Sequence, residues 1–158
     1  EKKFPSGRII EPAPKLFIGS AEMPTQGKAN PEKILNKINT GVNFFQTQYV
    51  FDAKILKDYM KILEDSGILE KTFFIIGLGP FTSAKSAKWM NENLFGVDIP
   101  NTIIKRLEQA KNQEEESKKI CLELIKNFQE IKGVKGVHLM GHKKEQLISE
   151  IVKDSKKN

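Results

Sequence analysis

Four times along this chain a short apolar run of strand character gives way to a stretch with helical periodicity, and that recurrence narrows the possible folds more than any other feature. The runs begin near Lys15, Val42, Thr72 and Gly136. The first two intervals are roughly 30 residues, the length of one strand-helix-strand unit, and the third is roughly twice that because it holds extra helices. A repeat of this kind predicts a parallel sheet with right-handed crossovers. Four units can form an open sheet, and they are also half of what a closed eight-stranded α/β barrel requires.

The elements follow from local chemistry. Lys15–Ser20 is the first expected strand, and its Leu16-Phe17-Ile18-Gly19 run suits a strand buried on both faces. Asn30 can cap a helix that starts at Pro31, carries Ile34, Leu35 and Ile38, and stops at Gly41. Val42–Gln48 is the second strand. Asp52, better placed as a helix cap than as an acid catalyst, opens a helix through Ile55, Leu56, Tyr59, Met60 and Leu63 to Gly67. Thr72–Gly77 is the third strand, and Thr82 or Ser83 opens the helix through Ala84, Ala87, Met90 and Leu94. Ile103, Ile104 and Leu107 mark a short inserted helix, and Gln113–Ile131 a longer one. Gly136–Met140 is the fourth strand, and Lys143–Lys153 the closing helix. The domain is therefore expected over residues 15–153, after an extended, proline-rich lead-in at 1–14 and before a basic tail at 154–158.

A length of 158 residues with 39% hydrophobic content suits one packed domain. No apolar run approaches the roughly 20 residues of a membrane span, and the charged start lacks a signal-peptide core, so a cytoplasmic protein without a membrane partner is expected. The net charge of +6 comes from 26 basic and 20 acidic residues spread along the chain. A nucleic-acid binder concentrates its basic stripe beside stacking rings, and none is expected here. One cysteine, Cys121, lies on an apolar helical stripe and reads as core.

Ligands of parallel α/β folds meet the carboxyl ends of the strands. Here those ends are 19–22, 46–52, 77–83 and 138–142. The second carries Gln46, Thr47 and Gln48, with Tyr49 and Phe51 beside them. Gln48 can offer a donor and an acceptor to a planar heterocycle, or Gln46 or Gln48 can bond neighbouring backbone; the sequence leaves both open. Gly77-Leu78-Gly79-Pro80 bends tightly before a helix whose first amides can receive an anion, but it lacks the third glycine of a dinucleotide fingerprint. His138 suits a hydrogen-bonded interior residue and His142 a freer loop position; no third ligand accompanies them, and no metal is expected. Trp89 either packs or walls a pocket. No Ser/His/Asp set or carboxylate pair supports hydrolysis.

Several of these segments, in order, resemble the methylenetetrahydrofolate reductase family. Phe44-Phe45-Gln46-Thr47-Gln48-Tyr49-Val50-Phe51-Asp52 after Gly41-Val42-Asn43 is similar to its "AGA-D-x-x-x-TQ-x-x-FD" signature. Phe17–Pro24 resembles the preceding strand and loop, Gly77-Leu78-Gly79-Pro80 the "GI-x-P" turn, and Ser83–Glu92 the helix after it. Val97-Asp98-Ile99-Pro100 resembles the "V-x-IP" segment, and Gly136–Met140 the last strand.

The resemblance implies four consecutive βα units forming the C-terminal half of a TIM-type (βα)8 barrel, with inserted helices before the last strand. It implies a flavoprotein oxidoreductase of one-carbon metabolism and methionine biosynthesis. FAD would be the cofactor and NAD(P)H the co-substrate, reducing 5,10-methylenetetrahydrofolate to 5-methyltetrahydrofolate. The implied substrate positions are Gln48, Phe51, Ser86, Met90 and Lys144, and the cofactor positions Ala21, Asn30 and Lys37. Ala21 stands where some members have a flavin-contacting tyrosine, Asn30 near an acidic ligand, and Ser86 and Met90 replace a glutamine and a phenylalanine. No catalytic residue is assigned, because the family's acid and its other FAD ligands belong to the first half of the barrel. The expected partners are therefore that N-terminal half-barrel, on this or another chain, a tetrahydrofolate, and a further copy of the chain. The alternative is a noncatalytic folate-binding or assembly module partnering a methyltransferase.

Overall fold

The structure is a computed structural model that describes residues 3–12, 14–24, 27–141 and 143–156. One parallel sheet runs through it in the order β1-β2-β3-β4, with β1 at Ile18–Glu22, β2 at Val42–Tyr49, β3 at Phe73–Leu78 and β4 at Val134–Leu139. Sequential order with parallel pairing is the arrangement of adjacent barrel strands. Helix α1 (Pro31–Asn39) follows β1, α2 (Ala53–Asp65) follows β2, and α3 (Ala84–Asn93), α4 (Asn101–Gln109) and α5 (Gln113–Gln129) follow β3. Helix α6 (Glu145–Ser155) closes the chain, so the last helix reaches past the expected boundary at 153. A 3-10 turn at Ile68–Glu70, which the apolar period does not announce, joins α2 to β3.

The helix starts follow the expected caps. Asn30 Oδ1 accepts from the Lys33 amide at 3.0 Å, and Asp52 Oδ1 from the amides of Lys54 and Ile55 at 2.8 and 3.1 Å. Ser83 and Ser86 form a reciprocal capping box on α3. The apolar stripes of the helices then cover one face of the sheet: Phe45, Phe74, Ile76 and Leu78 are buried beside Ile34, Leu56, Tyr59, Leu63, Ile120 and Phe128.

The opposite face is open, which corrects the expectation for β1. The run Leu16-Phe17-Ile18 is exposed instead of buried on both faces: Leu16 and Phe17 are each 69% accessible. The strand itself begins only at Ile18, whose amide donates to Asn43 Oδ1 at 2.8 Å. An apolar run marks what a fold can bury, and here no element among the described residues covers it. Phe17 stacks on Phe44 and Phe44 on Phe73, at 5.3 and 5.7 Å between ring centroids, so three rings line the amino end of this inner face. The lead-in is also less extended than expected, since Lys3 and Ile9 pair in an antiparallel bridge. No helix among the described residues is long and apolar enough to cross a membrane.

Candidate functional site

Strand alternation decides which side chains meet at the carboxyl end of the inner face. Ala21 pairs with Gln46, Gln46 with Ile75, and Ile75 with Gly136; one step on, Gly77 pairs with His138. Gln46 and Gln48 thus project to the same side as His138, above the tier of phenylalanine rings. A cavity of about 450 Å³ lies there, large enough for a bicyclic heterocycle. Ala21, Glu22, Gln46, Gln48 and His138 line it, with Met23, Phe95 and Met140 as apolar surface and Lys33 at the rim.

Close backbone approach shapes this end of the sheet. A side chain at Gly77 would overlap the Thr47 carbonyl oxygen, so only glycine lets β2 curl over β3 here. Thr47 secures the irregular register: its hydroxyl accepts from the Gly77 amide at 2.9 Å and donates to the Gln48 carbonyl at 2.8 Å. Gln48 is then spent on local structure. Its Oε1 accepts from the Tyr49 amide at 2.9 Å and its Nε2 donates to the Phe95 carbonyl at 3.3 Å, tying the loop after α3 to the strand end. Val97 and Ile99 anchor that loop in the core, while the Phe95 ring is 86% accessible at the cavity mouth.

The remaining residues inferred from the resemblance divide between this cavity and other places. Phe51 is buried against Tyr49 and Phe81 and does not reach the cavity. Ser86 points into the α3 cap, accepting from the Ser83 amide at 3.0 Å. Met90 packs on the core from α3, and Lys144 pairs with Glu114 at the start of α5; neither lines the cavity. Trp89, more than half exposed, does not line it either. Two of the α3 amides offered to an anion are engaged, that of Ala84 by Gln113 Oε1 at 2.8 Å and that of Ser86 by Ser83 Oγ at 3.1 Å. The reading of His142 lies outside the described residues. Cys121 is buried on α5, and burial pushes its thiol up to about 12.

Glu22 is a cavity-lining carboxylate that the expected site residues do not include; its signal was a carboxylate at the tip of a parallel strand. Its side chain is 8% accessible and pairs with Lys37 at 2.9 Å and with Lys33 at 3.6 Å. Lys37 also donates to the Ala21 carbonyl at 2.7 Å and sits 5.7 Å from the centre of the Phe45 ring. Of the three cofactor positions, Lys37 is therefore neutralised within the chain, Asn30 Oδ1 caps α1, and Ala21 presents only a methyl group. As arranged, these three do not fit FAD.

The methylenetetrahydrofolate reductase family model matches residues 20–156, from within β1 through the other three strands. This chain belongs to the methylenetetrahydrofolate reductase family. The four parallel units are accordingly part of the family's TIM-type barrel, and the uncovered face is the interior of that barrel. Among solved structures this reductase-family chain is similar to an uncharacterized protein from Clostridium thermocellum that binds two copies of 5-methyl-5,6,7,8-tetrahydrofolic acid, at a TM-score of 0.66 and 19% identity. The likeness, one of fold, covers 90% of this chain and 53% of that one, so the chain spans about half the length of that protein. No curated protein matches it.

Proposed function

We propose that this chain binds a reduced folate at the carboxyl ends of its strands, forming one side of a site that four further βα units complete. The cavity carries the proposal: amide, imidazole and carboxylate groups converge there beside Met23, Met140 and Phe95, with room for a flat bicyclic ring. Family membership and the folate bound by the Clostridium thermocellum protein support the same ligand class. Titration calorimetry with 5-methyltetrahydrofolate, on the chain alone and coexpressed with a matching N-terminal half, is expected to show saturable binding. No binding by either form would overturn the reading.

A second reading extends the first, and family membership favours it. In the closed barrel the bound folate would be 5,10-methylenetetrahydrofolate, reduced to 5-methyltetrahydrofolate with NAD(P)H through FAD. The misfit at Ala21, Asn30 and Lys37 opposes a flavin held by this half, so any FAD would rest on groups outside it. Retention of yellow flavin by the coexpressed complex, with folate-dependent NAD(P)H oxidation, supports this reading. Folate binding without flavin uptake supports the noncatalytic module instead.

A further inference from the structure

The sheet has two open edges, and their strands run the same way. Among the described residues β1 and β4 each pair with one neighbouring strand, and all four strands are parallel and in chain order. An open edge presents unpaired amides and carbonyls, which proteins ordinarily blunt with lysine or proline or cover with another element. β1 holds neither residue, and its one charge, Glu22, is taken up by Lys37 at 2.9 Å. At that edge Leu16, Phe17 and Ile18 stand exposed.

The surface area gives the scale of what such an edge and face could bury. The chain exposes 10226 Å², where a compact monomer of 158 residues exposes roughly 8,000 Å². Exposed residues of the lead-in account for part of the excess. If half of it, roughly 1,000 Å², comes from the inner face and the two edges, a pair of copies buries about 2,000 Å² between them, the size at which obligate dimers begin.

Geometry limits what can cover both edges together. A parallel α/β sheet closes into a barrel at eight strands, and the described residues hold four. A twofold axis running along the strands sets β4 of one copy beside β1 of the other at both seams, with every strand still parallel and in order. Pairing like edges, β1 with β1 or β4 with β4, runs antiparallel under a twofold axis and leaves the other two edges open. Only the first arrangement is a closed one, as in most homo-oligomers.

We propose that the open face takes a second copy of this chain, the two sheets closing about that axis into one eight-stranded barrel with β4 of each copy beside β1 of the other. This names a source for the four further units that the folate site asks for. It rests on the sheet and not on the ligand, so a dimer without folate affinity leaves it standing.

Sedimentation equilibrium and hydrogen exchange on the 158-residue chain test it. The expected result is a mass that levels off at two copies as concentration rises. In that dimer the β1 and β4 amides that point away from the sheet should exchange within about tenfold of the rates in β2 and β3. A monomer at all concentrations, or aggregates of open-ended size, would overturn the proposal. So would a dimer whose β1 and β4 amides exchange freely, because two sheets packed face to face cover the rings and leave the edges bare. A chain that stays monomeric and forms a stable complex only with a separate N-terminal half gives the face to that partner, and overturns the proposal as well.

Discussion

Tyr59 contributes its ring to the core and leaves its hydroxyl stranded. The ring meets Phe74 edge-on at 6.3 Å between centroids, and the hydroxyl is buried without a hydrogen-bond partner among the described residues. Burial, with the negative charge of Glu22 adding to it, holds its pKa far above the usual phenol value. A buried polar atom with no partner costs stability, so Tyr59→Phe is expected to leave the urea unfolding free energy unchanged or to raise it by about 1 kcal/mol. A loss of more than that would show that the hydroxyl is bonded after all. Other single residues were legible from the sequence for related reasons. Asn30, Asp52 and Ser83 cap helices because a short side-chain acceptor at a helix start finds free amides wherever the helix lies. Gln46 and Gln48 were not separable, because which amide finds a backbone partner depends on the Phe95 loop, 47 residues along the chain from Gln48.

Helix α4, with Ile104 and Leu107 buried, is tied to α5 by charge as well as packing. Arg106 donates to Glu116 and, with two nitrogens, to Glu123. The hydrogen bonds from Arg106 hold the Glu123 carboxyl below its ordinary range, against the upward pull of burial. A lowered folded-state pKa stabilises above the unfolded-state value, and that gain disappears as pH falls through the lowered one. Arg106→Ala should therefore cost about 1 kcal/mol at neutral pH, since both partners are partly exposed, and progressively less in acid. Denaturant melts of both proteins from neutral pH to pH 3 check this; a constant difference would assign the effect to packing. The order and type of the four strands and six helices were legible, because strand runs and helical stripes at this spacing leave few alternatives. The exposed β1 was not: hydrophobicity marks a surface that seeks cover, and does not say whether the cover lies within the same 158 residues.

Seen as a whole, the molecule is a sheet with one finished face and one waiting face. Leu16, Phe17 and Ile18 are exposed at its β1 edge, and the stack from Phe17 through Phe44 to Phe73 continues that surface across three strands. Apolar area of this kind drives association or binds an apolar dye. Sedimentation is expected to show concentration-dependent association of the isolated chain, reduced in a Leu16→Lys, Phe17→Lys variant and replaced by a defined heterodimer when the complementing half is supplied. A stable monomer at all concentrations, with no dye binding, would contradict this.

The ring tier beneath the polar tier has a consequence for affinity. While the face is open, water reaches the Phe17–Phe44–Phe73 floor, and a hydrogen bond from a polar group of the cavity to a ligand competes in a medium of high dielectric constant. Closing the barrel seals that floor and lowers the local dielectric around the same donors and acceptors, so each bond gains strength without moving an atom. Completion of the barrel should thus tighten binding even if the added half contributes no direct contact to the ring.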